Sequence, residues 1–236
     1  MEVCDEEGGC GCQGLEGGVK FHTLAWPNVA QRMLESHGDV VQHWGLDVEY
    51  TRERIPHGEW MDRICANIFN SGEKVACFLE IDAVPTVKGL AEKAYAWVVE
   101  NRGLLGIAQS ANHLNPAHIY AGPAFYMIHR DAWDKLGISF SETTQTDVGQ
   151  NVSLYAEGQR IPIRVLYPSH YLFPPDGERW DLGNYGRYGR GTFYRAGLFH
   201  LFQGRMNNAV NVFADICEKI VDNKFTTKGW HECDRL

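Results

Sequence analysis

The chain has 236 residues, 44% of them apolar and 12% aromatic, which can fill the core of one or two domains and argues against wholesale disorder. Its 22 basic and 30 acidic side chains leave a net charge of −8, of which residues 1–18, with five acids and no base, carry −5. The remaining body, at −3, is a poor candidate for binding nucleic acid over its whole surface, and no apolar run approaches the ~20 residues a bilayer helix requires.

Residues 1–18 read as an acidic tail rich in glycine and cysteine, and 19–236 as a single α/β domain. Residues 19–24 (VKFHTL) suit a short strand. Pro27 is well placed at a first helical position, with Ala30, Met33, Leu34 and His37 following on one face. Residues 40–50 look like a second strand region, and Met61, Ile64, Cys65 and Ile68 repeat at helical spacing. The run 75–81 (VACFLEI) is continuously apolar up to Glu80, as in a sheet covered on both faces. Residues 88–102 predict a helix with Leu90, Ala91, Ala94, Tyr95, Trp97 and Val98 in its stripe, and 104–108 and 124–128 predict further strands. Asp147 and Gln150 make an Asp-x-x-Gln capping box before a helix at 148–156. Residues 161–167 alternate as a strand, and 174–197, rich in Gly, Pro and aromatics, predict a long irregular segment. Val210, Phe213, Ala214, Cys217, Ile220 and Val221 line a last amphipathic helix. Alternation of strand and helix over the first hundred residues argues a mainly parallel sheet with right-handed crossovers.

In an open parallel sheet, ligands sit beyond the carboxyl ends of the strands. The segment CFLEIDAVPT (77–86) places Glu80 and Asp82 at such an end. Two residues apart, they point the same way, a geometry suited to holding a divalent cation through hard oxygen ligands. A strand-terminal acid that caps the next helix is the alternative.

HGEWMDRICAN (57–67) followed by VACFLEIDAVP (75–85) resembles the stretch before and through the Asp-x-Asp motif of GT-A-type glycosyltransferases, in particular the small single-domain forms of phages and related viruses. The resemblance continues through 106–137, where a Gly–Pro segment leads into a strand and then a helix ending in Leu–Gly. An acid at a helix start follows in TDVGQNVSLYAEG (146–158), and HLFQGRMNN (200–208) is similar to the family's late His-x-x-x-Gly segment.

The resemblance implies a GT-A (Rossmann-like) fold, a mainly parallel sheet with helices on both faces. It also implies metal-dependent transfer of a sugar from a nucleotide-sugar, a UDP-sugar, to a hydroxyl acceptor. Asp82 and Glu80 would hold Mn²⁺ or Mg²⁺, and His200 would add a nitrogen ligand that favours Mn²⁺. The family usually has Asp where this chain has Glu80, whose longer arm could reach the cation directly, through water, or touch the ribose instead. His200, among Leu198, Phe199, Leu201 and Phe202, also reads as a hydrogen-bonded core histidine. Asp147 is the candidate general base for transfer with inversion, or else only a helix cap. Gly122 and Pro123 would allow close backbone approach to the donor sugar, or form an ordinary turn. Thr23 and Trp26 follow the first strand, where this fold receives the nucleotide base.

From 182 to 214 there is no acid, while Arg187, Arg190, Arg195 and Arg205 interleave with Tyr185, Tyr188, Phe193 and Tyr194. Such a stretch calls for an anionic partner. It reads as a lid over the donor diphosphate, with Arg205 among its contacts, as a groove for a nucleic-acid acceptor such as a 5-hydroxymethylpyrimidine in phage DNA, or as a solvated loop. A glycan or protein hydroxyl is the competing acceptor. A nucleotidyltransferase would share the carboxylate logic but calls for a Gly-rich basic loop after the first strand, and LAWPNV (24–29) is not one. A non-catalytic nucleotide-sugar or nucleic-acid binding module is the third reading. Cys4, Cys10 and Cys12, with His231 and Cys233, would assemble a four-ligand Zn²⁺ site if the termini meet; the spacing matches no common pattern, and a flexible tail is the alternative. The other cysteines are spread singly and no basic-then-apolar leader is present, so the expected setting is soluble, in a reducing cytoplasm.

Overall fold

The computed structural model describes residues 18–111, 114, 118–173, 181–202 and 208–233. The first half of the chain runs β1 (Lys20–Leu24), α1 (Gln31–Trp44), β2 (Asp47–Thr51), α2 (His57–Asn70), β3 (Val75–Leu79), β4 (Ala83–Pro85), α3 (Leu90–Asn101) and β5 (Leu104–Ser110). Then come β6 (Ile119–His129), α4 (Arg130–Leu136), α5 (Gln150–Gly158), β7 (Ile163–Leu166), β8 (Pro168–Phe173), β9 (Arg190–Tyr194), β10 (Leu198–His200), α6 (Ala209–Val221) and β11 (His231–Glu232).

Six strands form a central sheet in the order β2-β1-β3-β6-β5-β7. Only β6 runs against its neighbours, so the sheet is mainly parallel, as the strand–helix alternation predicts. Every residue of β3 is buried because helices cover both faces. Val75, Cys77 and Leu79 pack with Leu90, Ala94 and Val98 of α3. Ala76 and Phe78 pack on the other side with Trp60 and Met61 of α2, Ala132 of α4 and Val152 of α5. Strand alternation thus divides one continuous apolar run between two cores.

Helix α1 begins at Gln31 rather than at Pro27, which lies in a turn closed by the Val29 N–H donating to the Trp26 carbonyl (2.9 Å). The strand expected over 40–50 is confined to β2. Val40 and Val41 continue the buried face of Met33 and His37 at helical spacing, and α1 runs on until Gly45 adopts φ 69°. α1 and α6 pack together around Met33, Val40, Phe213, Ile216 and Ile220.

A second sheet, order β11-β8-β9-β10-β4, is antiparallel throughout and departs from the irregular segment expected at 174–197. Residues 174–180 of that segment lie outside the described residues, but β9 falls within it. The glycines that suggested a loose loop serve close strand approach instead: a Cβ at Gly189 would stand 3.0 Å from Tyr171 Cδ2. Tyr188 and Tyr194 are core residues, 2% and 0% exposed. Among the described residues no helix is long and apolar enough to cross a membrane.

Candidate metal site

The chain leaves β3 at Leu79 and turns, with the Glu80 N–H donating to the Ala124 carbonyl (2.9 Å) and the Ala83 N–H to the Glu80 carbonyl (3.0 Å). β4 then pairs with β10 so that Ala83 stands opposite His200, and the Leu201 N–H donates to the Asp82 carbonyl (2.8 Å). This two-strand register brings an imidazole to the EID turn from 118 positions further along the chain. Ligand atoms of Glu80, Asp82 and His200 all lie within 4.8 Å of one another. His200 Nε2 is 3.4 Å from Glu80 Oε2 and 3.5 Å from Asp82 Oδ1.

Burial is the largest single influence on His200 and would favour the neutral ring. Its contacts with Asp82 and Glu80, and their charge, outweigh that and raise its pKa to about 9. Without a metal, the His200 imidazolium therefore offsets one of the two carboxylate charges. A divalent ion would balance both, and ligand atoms on one six-coordinate ion with bonds near 2.1 Å stand about 3–4 Å apart. Two carboxylate oxygens and one imidazole nitrogen within 4.8 Å fit such an ion after small side-chain rotations. His57, the first residue of α2, adds a second imidazole, its Nδ1 3.4 Å from Glu80 Oε1. Sequence reasoning gave His57 no role, because nothing in a 23-residue separation marks it as Glu80's neighbour.

These groups open onto a cavity of about 650 Å³, inside the range of about 300–1,000 Å³ typical for small-molecule sites. Asp147, Trp26 and Pro123 line the same cavity, as do Gln109 and Phe202, which sequence reasoning missed. Gln109 lies on β5 opposite Tyr120 of β6 and lines the cavity. Among the described residues the lining includes no Lys or Arg. Asp147 precedes α5, and half of the expected capping box forms: the Asp147 N–H donates to Gln150 Oε1 (3.0 Å), while Asp147 Oδ1 accepts from the Val148 N–H (2.8 Å). The helix itself starts at Gln150, after Gly149 at φ 77°.

Several expected contacts lie elsewhere. Thr23 is fully buried, donates its hydroxyl to the Leu79 carbonyl (2.7 Å) and does not line the cavity. Gly122 is not in the lining either; a Cβ there would stand 2.9 Å from Gln109 Cβ, so the glycine makes room for the Gln109 side chain. Arg187 and Arg195 are exposed and Arg190 packs over the Phe173 ring (5.8 Å); all three lie off the cavity, because β9 builds the second sheet instead of a lid. Arg205, Cys4, Cys10 and Cys12 lie outside the described residues. Cys233 is buried, its N–H donating to the Ser169 carbonyl (2.9 Å), and His231 stacks on Tyr171.

No family model and no curated protein matches the chain. Among solved structures it is similar to A197 from STIV (12% identity over 59% of this chain and 78% of that one, TM-score 0.40). It is also similar to a glycosyltransferase involved in the glycosylation of the major capsid of PBCV-1 (13% identity over 63% of this chain and 81% of that one, TM-score 0.37). A third is the mannosyltransferase PcManGT from Pyrobaculum calidifontis, in complex with GDP-Man and Mn²⁺ (11% identity over 70% of this chain and 58% of that one, TM-score 0.42). The overlap with each is partial, and what the site can do is read from its own residues.

Proposed function

We propose that the chain is a metal-dependent glycosyltransferase that takes a nucleotide-sugar donor, a UDP-sugar, and passes the sugar to a hydroxyl. The observation that carries this reading is the meeting of Glu80, Asp82 and His200 on a cavity that Asp147 also lines. A nucleoside diphosphate brings negative charge into this cavity. With no Lys or Arg among its described lining residues, and His200 offsetting only one of the Glu80 and Asp82 charges, the site would repel that charge unless a divalent cation bridges the two. Mn²⁺ or Mg²⁺ held by Asp82, Glu80 and His200 would neutralise the leaving diphosphate as charge builds on it.

The protein's own part is orientation and proton handling. Trp26 offers an indole face toward the nucleotide base, its Nε1 already committed to the Ile55 carbonyl (3.1 Å). Asp147 accepts the proton of the attacking hydroxyl, and transfer inverts the anomeric centre. The acceptor is a neutral hydroxyl on a glycan or protein. A 5-hydroxymethylpyrimidine in DNA is the weaker candidate, since Arg187, Arg190 and Arg195, which would have met its phosphates, lie off the cavity.

The test is nucleotide release from a panel of UDP- and GDP-sugars with Mn²⁺, with and without EDTA, using glycan, peptide and hydroxymethylated-DNA acceptors. The expected result is metal-dependent turnover of one donor, lowered at least about 100-fold by Asp82→Ala. Turnover no higher than background across the panel, or an Asp82→Ala chain of full activity, overturns the proposal. NMR of the product anomer tests the role of Asp147: retained configuration would remove it as the base.

A further inference from the structure

Asp147 is gripped through both of its oxygens. Oδ1 accepts from the Val148 N–H (2.8 Å), and Oδ2 accepts from the Tyr120 hydroxyl (3.0 Å). Tyr120 lies on β6, is 1% exposed, and stacks against His118 (interplanar angle 13°). A buried phenol needs a partner for its hydroxyl, and here the partner is the Asp147 carboxylate, which lines the cavity. Burial, reinforced by the Asp147 charge, holds the phenol's pKa well above 10, so it stays protonated and donates.

We propose that Tyr120 is a positioning residue whose hydroxyl fixes the Asp147 carboxylate so that it faces the cavity in one orientation. The proposal rests on the reading of Asp147 given above. Each carboxylate oxygen has two lone pairs, so one contact to each leaves acceptor capacity on both for a substrate hydroxyl. The Val148 N–H alone leaves the carboxylate free to swing about its own axis. A second donor on the other oxygen stops that rotation, and proton transfer requires a hydroxyl held within hydrogen-bond reach. The Gln150 contact to the Asp147 N–H fixes the backbone but leaves the side-chain torsions free.

Tyr120→Phe keeps the ring and its packing and deletes one O–H. Crystal structures of the wild-type and Tyr120→Phe chains read the effect without any turnover. The Asp147 carboxylate is expected to rotate, or to spread over two orientations; a single unchanged orientation overturns the proposal. A double-mutant cycle supplies the second readout, with UDP release from UDP-glucose in Mn²⁺ and water as the sugar acceptor. Tyr120→Phe is expected to lower kcat about 10–100-fold with the donor KM within about twofold, and to cost nothing more on top of Asp147→Asn. Equal losses in both backgrounds mean that Tyr120 does not act through Asp147 and also overturn it. If Asp147→Asn leaves kcat untouched, the reading of Asp147 fails instead, and the crystal structures still decide whether Tyr120 holds the carboxylate.

Discussion

Thr23 and Gly122 stand near the site without lining its cavity, and each supports a neighbour that does or that precedes one. The Thr23 hydroxyl satisfies the last carbonyl of β3, one residue before Glu80, inside a fully buried strand. Thr23→Val deletes that bond and leaves the Leu79 carbonyl without its side-chain donor, at a cost of about 1–3 kcal/mol. At about 2–4 °C per kcal/mol for a chain of this size, Tm falls by roughly 2–12 °C, while the donor KM stays unchanged. A raised KM with an unshifted Tm would restore Thr23 as a donor contact. Gly122 acts similarly through Gln109, whose side chain crosses the place a Cβ would take.

At the scale of elements, the site depends on how closely α2 sits on the chain before α5. A Cβ on Gly58 would stand 2.5 Å from Ser141 Cα and 2.6 Å from its N, both backbone atoms that cannot rotate away. Gly58→Ala must push α2 outward, at about 1–3 kcal/mol, and with it His57, whose imidazole faces Glu80. The expected outcome is a lower Tm together with weaker Mn²⁺ binding by calorimetry; unchanged values for both would mean that α2 gives way without moving His57. The β4–β10 pairing is the other decisive element contact. The EID acids were legible as a strand end carrying two like-facing carboxylates, but no local pattern announces that a three-residue strand at 198–200 pairs with one at 83–85. His200 was reached only through a resemblance, and His57 and Gln109 were not reached at all. Local periodicity reports burial and facing within one segment, and it is silent about which distant segment supplies the neighbour.

Over the whole molecule, two buried histidines give stability opposite pH dependences. His37 is fully buried, and desolvation lowers its pKa to about 4 despite the opposing pull of Asp82 and the carbonyls of Glu80 and Ala83. Between pH 6.5 and 4 the unfolded chain binds a proton that the folded chain refuses, so stability falls with acidification, by about 3 kcal/mol for this group. His200 titrates near 9 when folded. Between 6.5 and 9 the folded chain keeps a proton that the unfolded chain has released, so its contribution is full below 6.5 and fades by about 3 kcal/mol toward pH 9. For these two groups the metal-free chain is most stable near pH 6.5, measurable as urea midpoints from pH 5 to 9 in EDTA. His200→Asn should flatten the alkaline side alone; an alkaline fall that persists in that variant would assign it to other groups. By itself the sequence determined the α/β class, the both-faces-covered β3 and the paired acids at its end, because burial and alternation are written into neighbouring residues. Only the tertiary structure decided that His200 and His57 close on Glu80, that Tyr120 grips Asp147 and that Arg187, Arg190 and Arg195 lie off the cavity, because each depends on how segments far apart in the chain are placed by sheet register and helix packing.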